Sequence, residues 1–290
     1  MSEHEVSGRR ILVTGADGLI GRHAVRRLRE LGADVVAFAR RFRTLSEADA
    51  ELVVGDTRNP DDVARAVATG VDAVVHLAAI SHWTKGTAVE VFTANTASTF
   101  TVLETAAAAG VRDFVVAGSI QANGLDGNPA RPLPAYFPID VGLPGEVADA
   151  YSLSKTADEL TAAMISTRWG ATVITLRFPL TTDAEELAEF RQAWSDDPEG
   201  GVRLGWAYLD VHDAGDVIAR ALALGGVRAP IVHVAAPDTL IGGDTMRLLA
   251  TYADGVPVRR EIHGDRVPLD LEPARALGLL PSATSMKEMR

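Results

Sequence analysis

No cysteine occurs anywhere in the 290-residue chain. That excludes disulfides, thiolate zinc sites and a cysteine nucleophile, and it fits a cytoplasmic setting. Basic runs are also missing. Lys and Arg come no denser than pairs such as Arg9-Arg10, Arg26-Arg27 and Arg40-Arg41, and the net charge is −11. A nucleic-acid partner needs a basic stripe to neutralise phosphates, so none is expected. Long apolar runs are absent too: the segment 73–80 is broken by His76 and far too short to span a bilayer, so no membrane partner is expected. Residues 1–7 are polar and acidic, unlike a secretory leader. There is no internal repeat, no low-complexity linker and no metal-ligand spacing. What remains is a globular composition, 47% apolar and 23% charged, in a chain long enough to bury a sizeable core.

Short apolar segments at 11–13, 35–38, 52–54, 73–75 and 114–116 are β-branched and bounded by Gly, Asp or Asn, which predicts fully buried strands. Between them, 20–31, 60–68 and 89–109 carry helical periodicity. A long helix is predicted over 148–169, followed by a strand at 172–176. Strands alternating with helices imply right-handed crossovers and a parallel sheet covered on both faces. The fold class is therefore α/β: a Rossmann-type doubly wound parallel sheet with a small C-terminal substrate-covering lobe. After Arg177 the rhythm loosens, with helices predicted at 185–194 and 214–224, a turn-rich break at 195–201 and a last strand at 231–234. The dinucleotide-binding domain is expected over 1–177 and the lobe over 178–290, interdigitated with late sheet elements at about 205–236.

The first strand runs into Thr14-Gly15-Ala16-Asp17-Gly18-Leu19-Ile20-Gly21, and a helix follows. A tight turn, a close backbone approach to pyrophosphate and helix–strand packing all require glycine at such a place. The helix N-terminus offers free N–H groups and partial positive charge. Further on, Tyr151-Ser152-Leu153-Ser154-Lys155 opens the long helix. A spacing of i, i+4 puts tyrosine and lysine on one face. A free tyrosine, with a pKa of about 10, exchanges protons poorly at neutral pH. A nearby ammonium favours its phenolate and makes it a better acid–base group.

The Gly-x-x-Gly-x-x-Gly spacing after Thr14, with the tyrosine–lysine pair, resembles the extended short-chain dehydrogenase/reductase superfamily, over about residues 9–236. The resemblance implies nicotinamide dinucleotide chemistry. It assigns the cofactor to Gly15, Asp17, Gly18, Leu19, Ile20 and Gly21, with Asp56 at the adenine ring and Thr57 beside it. Leu77, Ala78 and Ala79 would lie beneath the cofactor, Ala79 standing where glycine is common. Asn95 matches an asparagine that supports the catalytic lysine, Lys155 would also bind the nicotinamide ribose, and Tyr151, Phe178 and Pro179 complete the set. Ser119, five residues before Gly124, matches the family's catalytic serine, although Asn123 replaces the usual tyrosine and Gln121 is unusual. A hydroxyl at a strand's carboxyl end can hold a substrate oxygen as charge develops on it.

Candidate substrate contacts are Ser81, His82, Trp83, Ser119, Gln121, Asn123, Arg177 and Trp206. Arg177 is equally a candidate to anchor the sheet end. The second strand places Ala39 where NAD-specific proteins carry an acid, and Arg40 and Arg41 follow, with Arg22 able to face the same pocket; this favours NADP over NAD. The favoured function is hydride transfer between NAD(P) and a small carbonyl or alcohol compound, with Ser119, Tyr151 and Lys155 catalytic. The alternatives are an epimerase of a sugar-like substrate and a non-catalytic dinucleotide sensor. The acidic stretch from Asp183 to Glu199 argues against a polyanionic substrate if it faces inward. The resemblance also implies a homodimer, in which the two long helices pair through Ala94, Ala97, Ala106, Ala157, Ala162 and Ala163.

Overall fold

The computed structural model describes residues 6–281; residues 1–5, within the polar start, and 282–290, the end of the expected lobe, lie outside the described residues. The chain runs β1 (Arg10–Thr14), α1 (Leu19–Glu30), β2 (Asp34–Ala39), β3 (Glu51–Val54), α2 (Pro60–Val67), β4 (Ala73–His76), α3 (Ala88–Ala108), β5 (Asp113–Ser119), α4 (Ala150–Trp169) and β6 (Thr172–Phe178). It continues through β7 (Leu180–Thr182), α5 (Ala184–Asp196), α6 (Glu199–Val202), β8 (Tyr208–Asp210), α7 (Val211–Leu222), β9 (Ile231–His233), α8 (Thr245–Tyr252) and α9 (Glu272–Ala276).

Seven strands form one sheet in the order β3-β2-β1-β4-β5-β6-β9, and every pairing is parallel. Strand order reverses between β1 and β4, and in such sheets ligands bind outside the carboxyl ends at that point. Successive residues of a strand point to opposite faces. Ile11 and Val13 of β1 therefore pack with Val25 and Leu28 of α1 and Val217 and Ile218 of α7. Leu12 packs on the other face with Val63 of α2, Leu103 of α3 and Ile165 of α4. Each such side chain contributes roughly 1.5–3 kcal/mol on burial, which is why the sheet stays closed on both sides.

Helix starts are set by side chains that satisfy free N–H groups. Asn59 accepts from Asp61 ahead of α2, Thr87 and Glu90 form a reciprocal box at α3, and Asp149 accepts from Ser152 at α4. The start of α1 differs: Gly18 stands there with no side-chain cap, and its first turn holds no acid.

Several expectations need correction. Strand β3 is not fully buried: it lies at the sheet edge, paired only with β2, and Val54 is 60% exposed. Ala106 and Ala162 pack into the core against the sheet and cannot belong to an outward helix face. The break at 195–201 contains the start of α6, and a second, two-stranded sheet, β7 with β8, was not foreseen. The lobe core gathers around Trp206 and draws Ile120, Leu125, Tyr136, Phe137, Ile139 and Leu143 from the stretch between β5 and α4, before residue 177. No described helix is long and apolar enough to cross a membrane.

Candidate active site

A cavity of about 1040 Å³ opens at the carboxyl ends of the strands, across the reversal point. Gly15, Asp17, Gly18, Arg40, Arg41, Asp56, Thr57, Leu77, Ala78, Ala79 and Asn95 line it. Leu19, Ile20, Gly21, Arg22, Ser119, Tyr151, Lys155, Phe178 and Pro179 are not on its wall, whereas Phe38, Ala39, Arg43, Arg58 and Lys85 are.

The glycine loop fits a pyrophosphate on grounds of packing. Gly15 has φ +65°, and a Cβ on it would stand 2.8 Å from the Ala78 nitrogen. A Cβ on Gly21 would come within 2.2 Å of the Gly15 carbonyl oxygen, so α1 could not approach the loop with any other residue there. With no cap at Gly18, the α1 N–H groups remain available to an anion.

Asp17 lines the cavity and also braces a loop. Its carboxylate accepts the backbone N–H groups of Arg43, Thr44 and Leu45 at 2.7, 3.0 and 2.8 Å. Burial opposes its ionisation, but these donors outweigh burial and hold the carboxyl below the usual range. Asp17 thus fixes the loop after β2 that carries Arg40, Arg41 and Arg43. Asp56 is gripped by Arg58, whose Nε and Nη2 lie 3.0 and 2.5 Å from its two oxygens, and this hydrogen bonding brings its pKa to about 2. Thr57 accepts a 2.6 Å hydrogen bond from Ser98.

Ser119 ends β5, and its Oγ accepts from the Gln121 N–H at 3.2 Å, capping the short turn Ile120–Asn123. Thr156 of α4 donates to the Ala122 carbonyl at 3.2 Å, which ties this turn to the helix of Tyr151 and Lys155. Phe178 pairs with Ser119 across β5 and β6, and Pro179 follows it. Tyr151 and Lys155 are both buried in the first turns of α4. The Lys155 ammonium lies 5.9 Å from the Tyr151 ring centre and donates to the Ala117 carbonyl at 2.9 Å and to Asp158 at 3.2 Å. Burial pulls its pKa down, but Asp158 and then Tyr151 outweigh burial and hold it above the usual lysine value.

Asn95 hydrogen-bonds to Ile80 and Ser154 rather than to Lys155. It donates to Ser154 Oγ at 3.1 Å and clasps both backbone groups of Ile80, joining the cavity wall to α4. His76 is fully buried between Thr14, at 2.8 Å, and Thr99, at 3.2 Å; burial, then the Lys155 charge, brings its pKa to about 3.

Around the opposite side sit the candidate substrate contacts. Lys85 donates to Ser81 at 2.9 Å, and His82 stacks on Trp83 with centres 3.7 Å apart. Gln121 reaches Asp126 at 3.4 Å, while its carbonyl oxygen and the Asn123 amide nitrogen are buried without partners. Burial raises the Asp126 carboxyl, against the pull of Arg203 and His82. Two expected contacts have other work. Arg177 donates to both Glu159 oxygens, at 2.6 and 2.9 Å, and anchors β6 to α4. Trp206 is fully buried in the lobe core, and its indole donates to the Pro198 carbonyl at 2.8 Å. The acidic residues Glu185, Glu186, Glu189, Asp196, Asp197 and Glu199 are exposed on the lobe. Sequence reading missed Asp158 and Arg58; the signal for each was an opposite charge a few residues from a named site residue.

Sheet order, glycine loop and tyrosine–lysine helix together define an extended short-chain dehydrogenase/reductase fold. The sequence model of the NAD dependent epimerase/dehydratase family matches residues 11–181, and the chain belongs to that family. A 3-beta-hydroxysteroid dehydrogenase of Mycolicibacterium neoaurum is 37% identical over 117 residues, which is 38% of this chain and 32% of the relative. The chain thus spans about a third of that curated relative's length. A short-chain dehydrogenase/reductase superfamily protein from Agrobacterium tumefaciens, solved with NAD bound, superposes with a TM-score of 0.72 at 24% identity, over 97% of this chain and 94% of that one. The UDP-glucose 4-epimerase of Thermotoga maritima superposes with a TM-score of 0.70 at 18% identity, over 95% and 94%.

Proposed function

We propose that this enzyme transfers hydride between a nicotinamide dinucleotide and a small carbonyl or alcohol compound, with Tyr151 as the acid–base group. The observation that carries the reading is the buried Lys155 ammonium, 5.9 Å from the Tyr151 ring at the carboxyl end of β5. The dehydrogenase relative and the NAD-bound Agrobacterium structure support it. The glycine loop and the start of α1 would take the pyrophosphate, Asp56 and Thr57 the adenosine, and the wall of Leu77, Ala78 and Asn95 would lead to Tyr151 and Lys155. When bound, the nicotinamide gives or takes the hydride. Tyr151 passes a proton to or from the substrate oxygen, Ser119 holds that oxygen, and Lys155 supports the tyrosine. The unpartnered atoms of Gln121 and Asn123 suit hydrogen-bonding groups on the substrate.

Tyr151→Phe is expected to keep cofactor affinity and lose turnover by about 10²–10⁴-fold. Turnover at the wild-type rate would refute the assignment.

NADP is the proposed cofactor over NAD. Arg40, Arg41, Arg43 and Arg58 border the cavity beside Ala39, and no acid stands at the end of β2 to refuse a 2′-phosphate. A homodimer through α3 and α4 is also proposed. Val89, Phe100, Leu153 and Leu160 stand exposed on these helices at 72, 49, 48 and 70%.

Epimerisation is the second reading, favoured by the fold likeness to the Thermotoga epimerase across nearly the whole chain. An epimerase restores its own cofactor at each turnover. Nicotinamide consumed one for one with product supports the oxidoreductase; product formed with none consumed supports the epimerase.

A further inference from the structure

Asp158 takes no part in the reaction outlined above, yet it occupies an improbable place. It is 1% exposed and lies in the buried stripe of α4 between Lys155 and the apolar pair Ala162 and Ile165. A buried carboxylate is among the most unfavourable groups to desolvate and persists only beside a compensating charge. That charge is the Lys155 ammonium, 3.2 Å away, itself held by the Ala117 carbonyl at 2.9 Å.

The groups set against this pair come from four elements. On α4, Tyr151 stands beside the ammonium, and Glu159 is neutralised by Arg177 of β6 at 2.6 Å. On β4, His76 is kept neutral by burial; burial also raises the Asp158 carboxyl, against the pull of the Lys155 ammonium and then of the Thr99 hydroxyl of α3. The pair therefore meets Tyr151 with nearly balanced charge. A lone ammonium favours a neighbouring phenolate strongly. An ammonium 5.9 Å from the ring centre with a counter-ion 3.2 Å from it acts in part as a dipole, whose field falls off faster than that of a lone charge.

We propose that Asp158 is a positioning residue that seats the Lys155 ammonium and cancels much of its charge as felt at Tyr151, so that the tyrosine keeps its proton and is set to donate it. The proposal rests on the reading of Tyr151 as the acid–base group. It deepens that reading by naming the substrate as one that arrives as a carbonyl. In that step the carbonyl carbon gains hydride from the reduced nicotinamide, and its oxygen takes the Tyr151 proton. The phenolate left behind is reprotonated from water. Alcohol oxidation, which needs the phenolate first, is then confined to more alkaline pH.

The test needs no substrate. Tyrosinate absorbance followed through alkaline pH, full chain minus its Tyr151→Phe variant, isolates Tyr151 among the four tyrosines. Asp158→Asn is expected to move its ionisation down by about one pH unit or more, because the ammonium survives on the Ala117 carbonyl and on the phenolate forming beside it. Asp158→Glu, which keeps the charge, is expected to stay near the wild type. If Asp158→Asn does not fold, Asp158→Ala, the residue type found at the next position of the stripe, carries the same expectation. An unmoved or upward-shifted ionisation in either neutral variant overturns the proposal. Retained turnover in Tyr151→Phe would instead overturn the proposed function, so the two failures are separable.

Discussion

Arginine side chains at the rim of the cavity differ in what already holds them. Arg58 is clamped on Asp56, whereas Arg40 and Arg41 border the cavity from a loop that Asp17 pins by its backbone, leaving their side chains out of that pinning. If Arg40 reads a 2′-phosphate, Arg40→Ala should weaken NADPH binding by about tenfold or more and leave NADH binding unchanged, since charge-assisted hydrogen bonds contribute roughly 1.5–3 kcal/mol. Paired titrations with the two cofactors measure this; equal losses for both would remove Arg40 from the role. At this scale the sequence told a good deal, because the glycine loop and the i, i+4 pair are local patterns whose chemistry follows from spacing. It told less about partners distant in the chain. Whether Arg177 met a substrate or Glu159 depended on how β6 lies against α4, and whether Trp206 faced a cleft or a core depended on the packing of the whole lobe.

Helices α3 and α4 show the same division between local pattern and tertiary placement. Their lengths were legible from periodicity, but not which alanines face the sheet: Ala106 and Ala162 do, while Ala97 and Ala163 are exposed. The outward residues are large as well as small. If Phe100 and Leu160 lie in a dimer interface, Leu160→Glu buries a charge there and should shift light-scattering mass from dimer to monomer at micromolar concentration. A wild-type monomer, or a variant that stays dimeric, would rule out this face. β7 and β8 escaped notice because three-residue strands carry too few positions for an alternating pattern to register.

At the scale of the whole molecule, two buried histidines link stability to pH. His76 and His233 both have folded pKa values of about 3, through burial first and then the nearby charges of Lys155 and Arg177 respectively. Unfolded, each has a pKa of about 6.5. Their neutral forms therefore stabilise the fold fully above about pH 6.5, and that contribution is lost as pH falls toward 3, because only the unfolded chain takes up the proton. Between pH 6.5 and 5 each histidine should remove about 2 kcal/mol. Urea unfolding at several pH values measures the slope, and His233→Leu should remove about half of the part due to these two histidines. A slope unchanged in that variant would show that His233 is protonated in the folded protein.

The core around Trp206 takes chain from 120–143, from 202–207 and from 235–271, while β6 and β9, which fall between those stretches, close the main sheet. Shuffling genes between relatives meets this weave directly. A crossover anywhere from residue 120 to 271 would join halves of a core shaped by different ancestors, so the lobe cannot be inherited as a module. Changes of substrate are then expected through single side chains at the cleft, with the lobe and sheet descending together.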